Sequence, residues 1–336
     1  MILVMAQDAT KEQIDCAIRT VESLGLKAHL SAGEARTIIG VIGDDPAAAS
    51  RLENLPGVDR LIPVLPPFKL ASRDFHQQDT VIEVGSVRIG AQEIAVMAGP
   101  CAVESYEQLS AAARAVRDCG CKILRGGVFK PRSSPYNFQG LGREGLEIIA
   151  AVKKEFGLLA VTEALSPQDV ALVAEFADII QVGARNMQNF ALLREIGRIK
   201  KPVLLKRGMM SSMEELLLSA EYILSVSNSQ VILCERGIRT FETYTRNTLD
   251  ISAVPVLKRY SHLPVIVDPS HAAGHWSYIG ALSKAAIAAG ADGLLIEIHP
   301  NPECALCDGK QSLRLNRFAE LVSQLRNVAL SVGRKM

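Results

Sequence analysis

The sequence has almost no net charge and no long apolar run. Its 37 basic and 36 acidic residues leave a formal net charge of +1, so no global electrostatic field draws the chain to nucleic acid or to a membrane surface. The apolar run 1–6 has no basic lead and is shorter than the apolar core of a signal peptide, and no later run approaches the roughly 18 apolar residues of a membrane span. We therefore expect no nucleic-acid partner, no secretion and no membrane insertion.

Disulfide scaffolding is also missing. The seven cysteines are an odd number scattered between residues 16 and 307, without the dense spacing of a small disulfide-stabilised domain. Cys304 and Cys307 form a lone C-x-x-C, for which chance spacing is a better account than a zinc ribbon or a redox pair. This cysteine usage predicts a reducing cytoplasm. With 336 residues, of which 48% are hydrophobic, the chain can fill one large domain and a small one.

Residues 1–70 have the pattern of a small separate domain. Their apolar alternation and helical periodicity follow the order β-α-β-β-α-β, which is typical of a ferredoxin-like α+β module. The run Leu65-Pro-Pro-Phe-Lys-Leu70 stiffens the exit from it, so we place the domain boundary there. The predicted strands are 2–5, 27–31, 36–42 and 58–65, and the predicted helices are 10–24 and 46–52.

Residues 71–336 begin with a predicted hairpin and continue as alternating strands and helices. Residues 80–89 alternate around a Gly-Ser turn. Eight short apolar runs then alternate with helical periodicity, which predicts a (β/α)8 barrel, with a doubly wound parallel sheet as the alternative. Ser166-Pro167 is the clearest helix start signal. The predicted strands are 94–98, 122–124, 158–162, 178–182, 203–205, 231–234, 265–267 and 294–298.

Charged or metal-competent side chains follow all eight predicted strands. In such a barrel the loops after the strands carry the chemistry, and a scaffold has no reason to gather so many charges, because their desolvation costs several kcal/mol unless a ligand neutralises them. For any single residue, a surface ion pair is the alternative. The set is Cys101, Arg125, Glu163, Arg185, Lys206 with Arg207, Glu235 with Arg236, Asp268 with His271, and Glu297 with His299.

The segment Gly126–Tyr136 is the most informative basic stretch. Lys130 and Arg132 stand beside Ser133 and Ser134, between two prolines. A guanidinium fork, a mobile ammonium and hydroxyl donors suit phosphate oxygens, although a solvated basic turn is the alternative. Together six cations of the predicted rim could bind two phosphate groups and a carboxylate: Arg125, Lys130, Arg132, Arg185, Lys206 and Arg236.

Four further side chains of the same rim could hold a metal ion. Cys101, His271, Glu297 and Asp308 come from different loops and mix soft and hard donors, which suits Mn, Fe, Zn or Co better than Mg or Ca. Against this interpretation, no short metal motif is present, and buried cysteine and histidine are commonly plain core residues.

These motifs give the chain a close resemblance to the 3-deoxy-D-arabino-heptulosonate-7-phosphate (DAHP) synthases of type I beta. The resemblance covers essentially the whole chain. A related family, the 3-deoxy-D-manno-octulosonate-8-phosphate synthases, typically has Lys-Ala-Asn-Arg-Ser where this chain has Lys130-Pro-Arg-Ser133; a catalytically silent, metabolite-binding barrel is the other alternative. The matching motifs are 98–105, 124–135, 181–186, 204–208, 233–237, 267–271 and 308–312.

The resemblance implies the first reaction of the shikimate pathway, an aldol-like condensation of phosphoenolpyruvate with erythrose 4-phosphate. Lys130, the implied proton donor, and Glu163 would be catalytic, together with Cys101 and His271. Cys101, His271, Glu297 and Asp308 would bind a divalent metal, with Mn preferred and Fe, Co or Zn possible. Arg132 and Ser133 would bind the aldehyde phosphate. The other implied substrate-binding residues are Arg125, Lys130, Arg185, Lys206, Arg236 and Asp268.

The resemblance also implies a homotetramer and a regulatory role for residues 1–70. In similar synthases such a module binds an aromatic amino acid, here tyrosine or phenylalanine. The turn His29-Leu-Ser-Ala-Gly33 offers an imidazole and the Ser31 hydroxyl to a small zwitterion. A solubilising or dimerising cap is the alternative.

Overall fold

The computed structural model describes residues 1–33, 36–43, 48–62, 67–131 and 134–336. Arg132 and Ser133, both predicted to bind substrate, lie outside the described residues, as do 46–47 of the second predicted helix and 63–65 of the fourth predicted strand. The chain forms two compact units: Met1–Gln78 with Arg259–His262, and Asp79–Lys258 with Leu263–Met336.

The first unit contains a four-stranded antiparallel sheet in the order β2-β3-β1-β4. Thr10 begins the first helix with a capping box, in which its hydroxyl accepts from the Gln13 amide and the Gln13 side chain accepts from the Thr10 amide. The predicted ferredoxin-like order is confirmed. The elements are β1 (Ile2–Met5), α1 (Lys11–Ser23), β2 (Lys27–Ala32), β3 (Thr37–Ile42), α2 (Ala48–Leu52) and β4 (Val58–Ile62).

The predicted hairpin is also present and packs against the barrel interior. It pairs β5 (Ile82–Val84) with β6 (Val87–Ile89), and its four inward apolar side chains join one buried cluster with Met97, Ile123 and Ile266. A Cβ on Gly85 would lie 3.1 Å from the Leu159 side chain, at the start of a barrel strand. The hairpin therefore closes the end of the barrel at which the strands begin, and leaves the other end to the loops.

Eight parallel strands close into a barrel, as predicted. Each observed strand overlaps its predicted run. Their carboxyl ends meet at one rim, because parallel strands all point the same way. The strands are β7 (Ala95–Gly99), β8 (Ile123–Arg125), β9 (Leu159–Glu163), β10 (Ile179–Val182), β11 (Val203–Lys206), β12 (Val231–Glu235), β13 (Val265–Val267) and β14 (Gly293–Glu297).

Helices surround the barrel. Among the described residues, none combines the length and apolar character needed to cross a membrane. They are α3 (Tyr106–Asp118), α4 (Arg143–Phe156), α5 (Asp169–Phe176), α6 (Phe190–Arg198), α7 (Met213–Leu224), α8 (Ala253–Tyr260), α9 (Pro269–Ala273), α10 (Trp276–Ala288) and α11 (Leu315–Ser331).

One predicted helix start is displaced. Ser166-Pro167 predicts that α5 begins at Pro167, whereas the helix begins at Asp169. The Asp169 carboxylate accepts from both the amide (3.0 Å) and the hydroxyl (2.7 Å) of Ser166. This contact closes a turn ahead of the helix, so the serine hydroxyl is a donor here and not a helix cap.

The interior packing generates a stability prediction. Ile266 is fully buried in the barrel cluster, so Ile266→Ala should lower the free energy of unfolding by about 2–5 kcal/mol through lost burial and a cavity. Leu330→Ala is the matched control, because Leu330 is 67% exposed and should change stability by less than about 0.5 kcal/mol. Urea unfolding would measure both. Equal shifts would contradict the assignment of Ile266 to a tightly packed interior.

Candidate active site and metal centre

A cavity of about 240 Å³ opens at the carboxyl ends of the strands. Arg125, Glu163 and Lys206 are the last residues of their strands and line it, and Arg236 follows β12 directly. The described residues that line the cavity are mostly charged or polar, and seven of them are cations: Arg125, Lys130, Arg185, Lys206, Arg236, Arg239 and Arg246.

The seven cations differ in burial. Arg125, Lys130, Lys206 and Arg236 are each less than a tenth exposed, whereas Arg185 is exposed at the mouth. Arg236 donates only to the neighbouring Gly237 carbonyl (3.3 Å) and forms no ion pair with any residue the structure describes. A buried guanidinium without a carboxylate partner is costly unless an anion binds it. The inner cavity is therefore built to receive an anion.

Arg239 and Arg246 were not found from the sequence. Both lie in the loop after β12, several residues beyond Arg236. Considering only the first charged residues after each strand overlooks them. The sequence Thr245-Arg246-Asn247 contains no motif that indicates a site. The loop returns onto the helix that carries His271, where the Arg246 amide donates to the Ala273 carbonyl (3.1 Å). Only this contact brings the guanidinium to the cavity.

The four predicted metal ligands come together. One ligand atom from each of Cys101, His271, Glu297 and Asp308 lies within 4.8 Å of the others. Cys101 follows β7, His271 lies in α9, Glu297 ends β14 and Asp308 belongs to the loop beyond it. One thiol, one imidazole and two carboxylates form a donor set that fits a borderline divalent transition metal.

The imidazole of His271 is oriented for metal binding. Its Nδ1 lies 2.7 Å from Asp268 Oδ2, which assigns the proton to Nδ1 and leaves the Nε2 lone pair facing Glu297 Oε1 at 3.4 Å. Burial lowers the pKa of His271, against the raising effect of Asp268, so the ring is neutral at neutral pH. Two lone-pair atoms then face each other across 3.4 Å, an arrangement that a cation between them would stabilise.

Asp268 is placed differently from its predicted role. It is fully buried and does not appear among the described residues that line the cavity. Its carboxylate pairs with Lys206 Nζ and with His271. Burial by itself would raise the pKa of Asp268, but these two partners hold it well below its usual range. Asp268 therefore lies behind one cation and one metal ligand and orients both.

The two carboxylate ligands have their own partners. Glu297 pairs with the Arg125 guanidinium through Oε1, and its Oε2 accepts from Gln311 Nε2 at 2.7 Å. Asp308 Oδ2 accepts from Arg246 Nη1 at 3.1 Å. Burial would raise the pKa of Asp308, but Arg246, together with His271 and Lys130, outweighs it and lowers the pKa to about 2. Burial would raise the pKa of Glu297 as well, but its charged neighbours, Arg125 among them, lower it. Both carboxylates are therefore ionised.

Cys101 is in contact with an amine and a second thiol. Lys130 Nζ lies 3.1 Å from its Sγ and 3.0 Å from its carbonyl oxygen, and Cys307 Sγ lies 3.3 Å from Cys101 Sγ. The Cys307 contact and burial raise the pKa of Cys101 well above its usual range, so a metal must displace the thiol proton to bind. The sequence attributed the spacing of Cys304 and Cys307 to chance and gave neither a role. In the structure Cys307 lines the cavity, whereas Cys304 is exposed.

Glu163 lines the cavity from the end of β9. Its Oε2 accepts from Gln181 Nε2 at 2.9 Å. A Cβ at position 183 would lie 2.0 Å from Glu163 Oε1, so Gly183 is required for the carboxylate to occupy this place. Gln181, within β10, and Gly183, directly after it, belong to the predicted motif 181–186, but their contact with Glu163 forms only when β9 and β10 pair.

Three charged residues of the predicted rim serve other contacts. Arg207 donates to Glu235 Oε2 (2.9 Å) and Asp250 Oδ2 (2.8 Å) and is absent from the described cavity lining, so these three residues join loops of the rim.

His299 Nε2 faces Glu104 Oε2 at 3.4 Å, beyond good hydrogen-bond distance, and Glu104 Oε1 accepts from the Leu306 amide. These contacts hold the loop that carries Asp308.

Sequence families match both units of the chain. The DAHP synthetase I family matches residues 75–331, and the DAHP synthase ferredoxin-like domain matches residues 1–66. A phospho-2-dehydro-3-deoxyheptonate aldolase of Thermotoga maritima is 52% identical over 337 residues, covering 100% of both chains. A 2-dehydro-3-deoxyphosphooctonate aldolase of Geobacter sulfurreducens is 33% identical over 74% of this chain and 97% of its own.

Solved structures similar to this chain come from the same family of synthases. The crystal structure of phospho-2-dehydro-3-deoxyheptonate aldolase (DAHP synthase) from Thermotoga maritima has a TM-score of 0.79 and covers 99% of this chain and 98% of its own, at 52% identity. A truncated form of the Thermotoga maritima 3-deoxy-D-arabino-heptulosonate 7-phosphate synthase, also 52% identical, has a TM-score of 0.75 and covers 79% of this chain and 98% of its own.

The donor cluster generates a prediction about metal content. Cys101→Ala removes the only sulfur donor of the four-residue set with little change in volume. After loading with Mn²⁺ and removal of free metal, the variant should therefore hold much less metal than wild type. Cys304→Ala is the matched control, because Cys304 is exposed and outside the cluster. Elemental analysis of both proteins would measure the difference. Wild-type metal content in Cys101→Ala would show that the ligand set is wrong.

Proposed function

The chain belongs to the DAHP synthetase I family, and we propose that its barrel rim condenses phosphoenolpyruvate with erythrose 4-phosphate. The products are DAHP and inorganic phosphate, in the first step of the shikimate pathway. The activity is supported by the family match and by the full-length relative at 52% identity. The observation that carries the assignment is a cavity to which the described part of the chain contributes seven cations, beside four side chains that could hold a metal ion.

The buried inner cations are the proposed phosphoenolpyruvate site. This substrate carries a phosphate and a carboxylate, and Arg125, Lys130, Lys206 and Arg236 supply buried positive charge in one place. Arg125 Nε is buried without a hydrogen-bond partner among the described residues, and a substrate oxygen would satisfy it. Arg185 completes the set from the mouth, and Asp268 contributes by orienting Lys206.

The second phosphate is assigned to the loop after β8. Arg132 and Ser133 supply a guanidinium fork and a hydroxyl, which suit the phosphate of erythrose 4-phosphate. Pro131 and Asn137, on either side of them, line the cavity. The assignment of these two residues rests on the sequence motif and on the position of their neighbours.

A divalent metal on Cys101, His271, Glu297 and Asp308 fits the donor set, with Mn preferred and Fe, Co or Zn as alternatives. When bound, it supplies Lewis-acid polarisation of the aldehyde. Asp268 holds the proton on His271 Nδ1 so that Nε2 is free to coordinate. The high pKa of Cys101 in the protein without metal means that metal uptake releases the thiol proton.

The proton movements are assigned to Lys130 and Glu163. Attack of C3 of phosphoenolpyruvate on the aldehyde carbon places negative charge on the aldehyde oxygen and positive charge at C2. Burial would lower the pKa of Lys130, but the neighbouring cysteines and Glu297 raise it, so Nζ carries a proton to give to the new alkoxide. Glu163 stabilises the cationic carbon or orients the attacking water. Water adds at C2, and phosphate leaves by C–O cleavage of the hemiketal phosphate.

Substrate choice distinguishes this function from that of the octulosonate relatives, which are 33% identical or less over the barrel-sized part of the chain. We expect loss of phosphoenolpyruvate absorbance with erythrose 4-phosphate and little loss with arabinose 5-phosphate, because the motif Lys130-Pro-Arg-Ser133 favours the four-carbon aldehyde. Both assays would be run with Mn²⁺, and a chelator should abolish the activity. Preference for the five-carbon substrate would overturn the proposed specificity. Activity that persists in the presence of the chelator would overturn the proposed metal dependence.

Residues 1–70 are the proposed regulatory domain, in an enzyme that we place in the cytoplasm as a homotetramer. His29 and Ser31 lie on β2, an edge strand of the sheet, and alternate positions put them on one face. The register pairs His29 with Gly40, which has no side chain. Gly40 is covered by the Phe75 ring, since a Cβ there would lie 2.4 Å from it. The imidazole and the hydroxyl on this edge strand are therefore the groups that suit a small zwitterion such as tyrosine or phenylalanine.

Deletion of residues 1–70 tests this assignment. We expect tyrosine or phenylalanine to inhibit the full chain and not the truncated enzyme. The truncated enzyme should keep its catalysis, because a solved truncated relative covers 79% of this chain, close to the share that residues 71–336 make up. In the full chain, His29→Ala and Ser31→Ala should raise the effector concentration needed for half-inhibition. Inhibition that persists in the truncated enzyme would place the effector site on the barrel.

A further inference from the structure

Two side chains outside the metal cluster join its two carboxylates in one hydrogen-bonded chain. Arg246 Nη1 donates to Asp308 Oδ2 at 3.1 Å and to Gln311 Oε1 at 2.9 Å. Gln311 Nε2 donates to Glu297 Oε2 at 2.7 Å. A guanidinium can only donate and an ionised carboxylate can only accept, so the orientation of the amide between them is determined. We call Arg246 and Gln311 the carboxylate clamp.

The backbone fixes the Gln311 side of the clamp. Asp308 has a left-handed backbone (φ +52°) and begins a short 3-10 turn, Gly309–Gln311, in which the Gln311 amide donates to the Asp308 carbonyl at 3.1 Å. A Cβ at Gly309 would lie 2.1 Å from the Pro302 carbonyl oxygen, so only glycine fits there. The turn therefore presents one metal ligand and Gln311 together, and Gln311 is 2% exposed.

The Arg246 side of the clamp is fixed to the helix that carries the third ligand. The amides of Arg246 and Asn247 donate to the carbonyls of Ala273 and Ala272. Asn247 Nδ2 donates to the His271 carbonyl at 3.1 Å. A Cβ at Gly274 would lie 2.4 Å from Arg246 Cβ, so this segment packs directly against the end of α9. One loop thus contacts the elements that supply His271 and Asp308.

We propose that Arg246 and Gln311 are positioning residues that set the affinity of the cluster for its divalent cation. The proposal rests on the proposed function only in that a metal binds there. Two carboxylates within 4.8 Å of each other repel, and each could rotate away from the other. Gln311 occupies Glu297 Oε2 and leaves Oε1 facing His271, while Arg246 neutralises Asp308. The clamp therefore keeps both carboxylates in place before the cation arrives.

The test is Mn²⁺ binding to metal-stripped full-length protein without substrates, by isothermal titration calorimetry. Gln311→Ala and Arg246→Met should each weaken Mn²⁺ binding by about 10- to 100-fold, the usual effect of removing an outer partner of a metal ligand. Lys310→Met is the matched control, because Lys310 is exposed in the same turn and should bind Mn²⁺ as wild type does. Because both residues act through one chain, the double variant should lose less than the product of the single losses.

A second set of measurements separates positioning from substrate binding. Arg246→Lys keeps the charge and should recover part of the Mn²⁺ affinity. At saturating Mn²⁺, the KM values of Gln311→Ala for both substrates should stay near those of wild type, because Gln311 is not among the described residues that line the cavity. Should Gln311→Ala fail to fold by circular dichroism, Gln311→Met provides the same test with a side chain of similar length that cannot donate.

Two outcomes would overturn the clamp: wild-type Mn²⁺ affinity in Gln311→Ala and Arg246→Met, or a raised KM for either substrate in Arg246→Met with unchanged Mn²⁺ affinity, which would assign Arg246 to the substrate. Failure of wild type to condense phosphoenolpyruvate with erythrose 4-phosphate would instead overturn the proposed function. The Mn²⁺ titrations would still decide the clamp in that case.

Discussion

Pairing of buried charges at the carboxyl ends of the strands is the constraint on which the site depends. Arg125 with Glu297, Lys206 with Asp268, and Arg207 with Glu235 are ion pairs whose side chains are at most 5% exposed. Removing one partner of such a pair costs about 3–5 kcal/mol, because a buried charge remains uncompensated. Each pair joins residues at the ends of two different strands or directly after them, so the same contacts that make burial tolerable also fix the rim. Arg236 has no such partner among the described residues and lines the cavity. The uncompensated positive charge therefore lies where a substrate anion can bind.

The loop after β14 completes the candidate metal centre at this rim. It brings Cys307, Asp308 and Gln311 over the strand ends, and pairing of Ile298 with Leu313 closes its base. Glu104, beyond β7, accepts from the Leu306 amide and faces His299. Because the loop is tied at its base and near its tip, Asp308 can meet ligands from three other segments. The position of the proposed metal ligand Asp308 therefore depends on contacts made by residues outside the donor cluster.

The fold was predictable because its signals are local. Apolar runs such as Val265–Val267 mark a strand wherever they occur, and the alternation around Gly85 marks a hairpin without reference to the rest of the chain. Ser166-Pro167 misled because the serine hydroxyl can either cap a helix or donate to Asp169, and local sequence does not choose between these states. The roles of Arg132 and Ser133 in substrate binding remain predictions from a motif, because both lie outside the described residues.

By itself, the sequence determined the succession of strands and helices and the types of side chain that follow each strand. Charge and donor chemistry are properties of single residues, so Arg125, Lys206 and the four donors could be nominated from order alone. Only the tertiary structure decided that Arg246, Gln311 and Cys307 belong to the site and that Asp268 lies behind it. Closing the barrel places β14 beside β7 and residue 307 against residue 101, a meeting that no periodicity within either segment encodes.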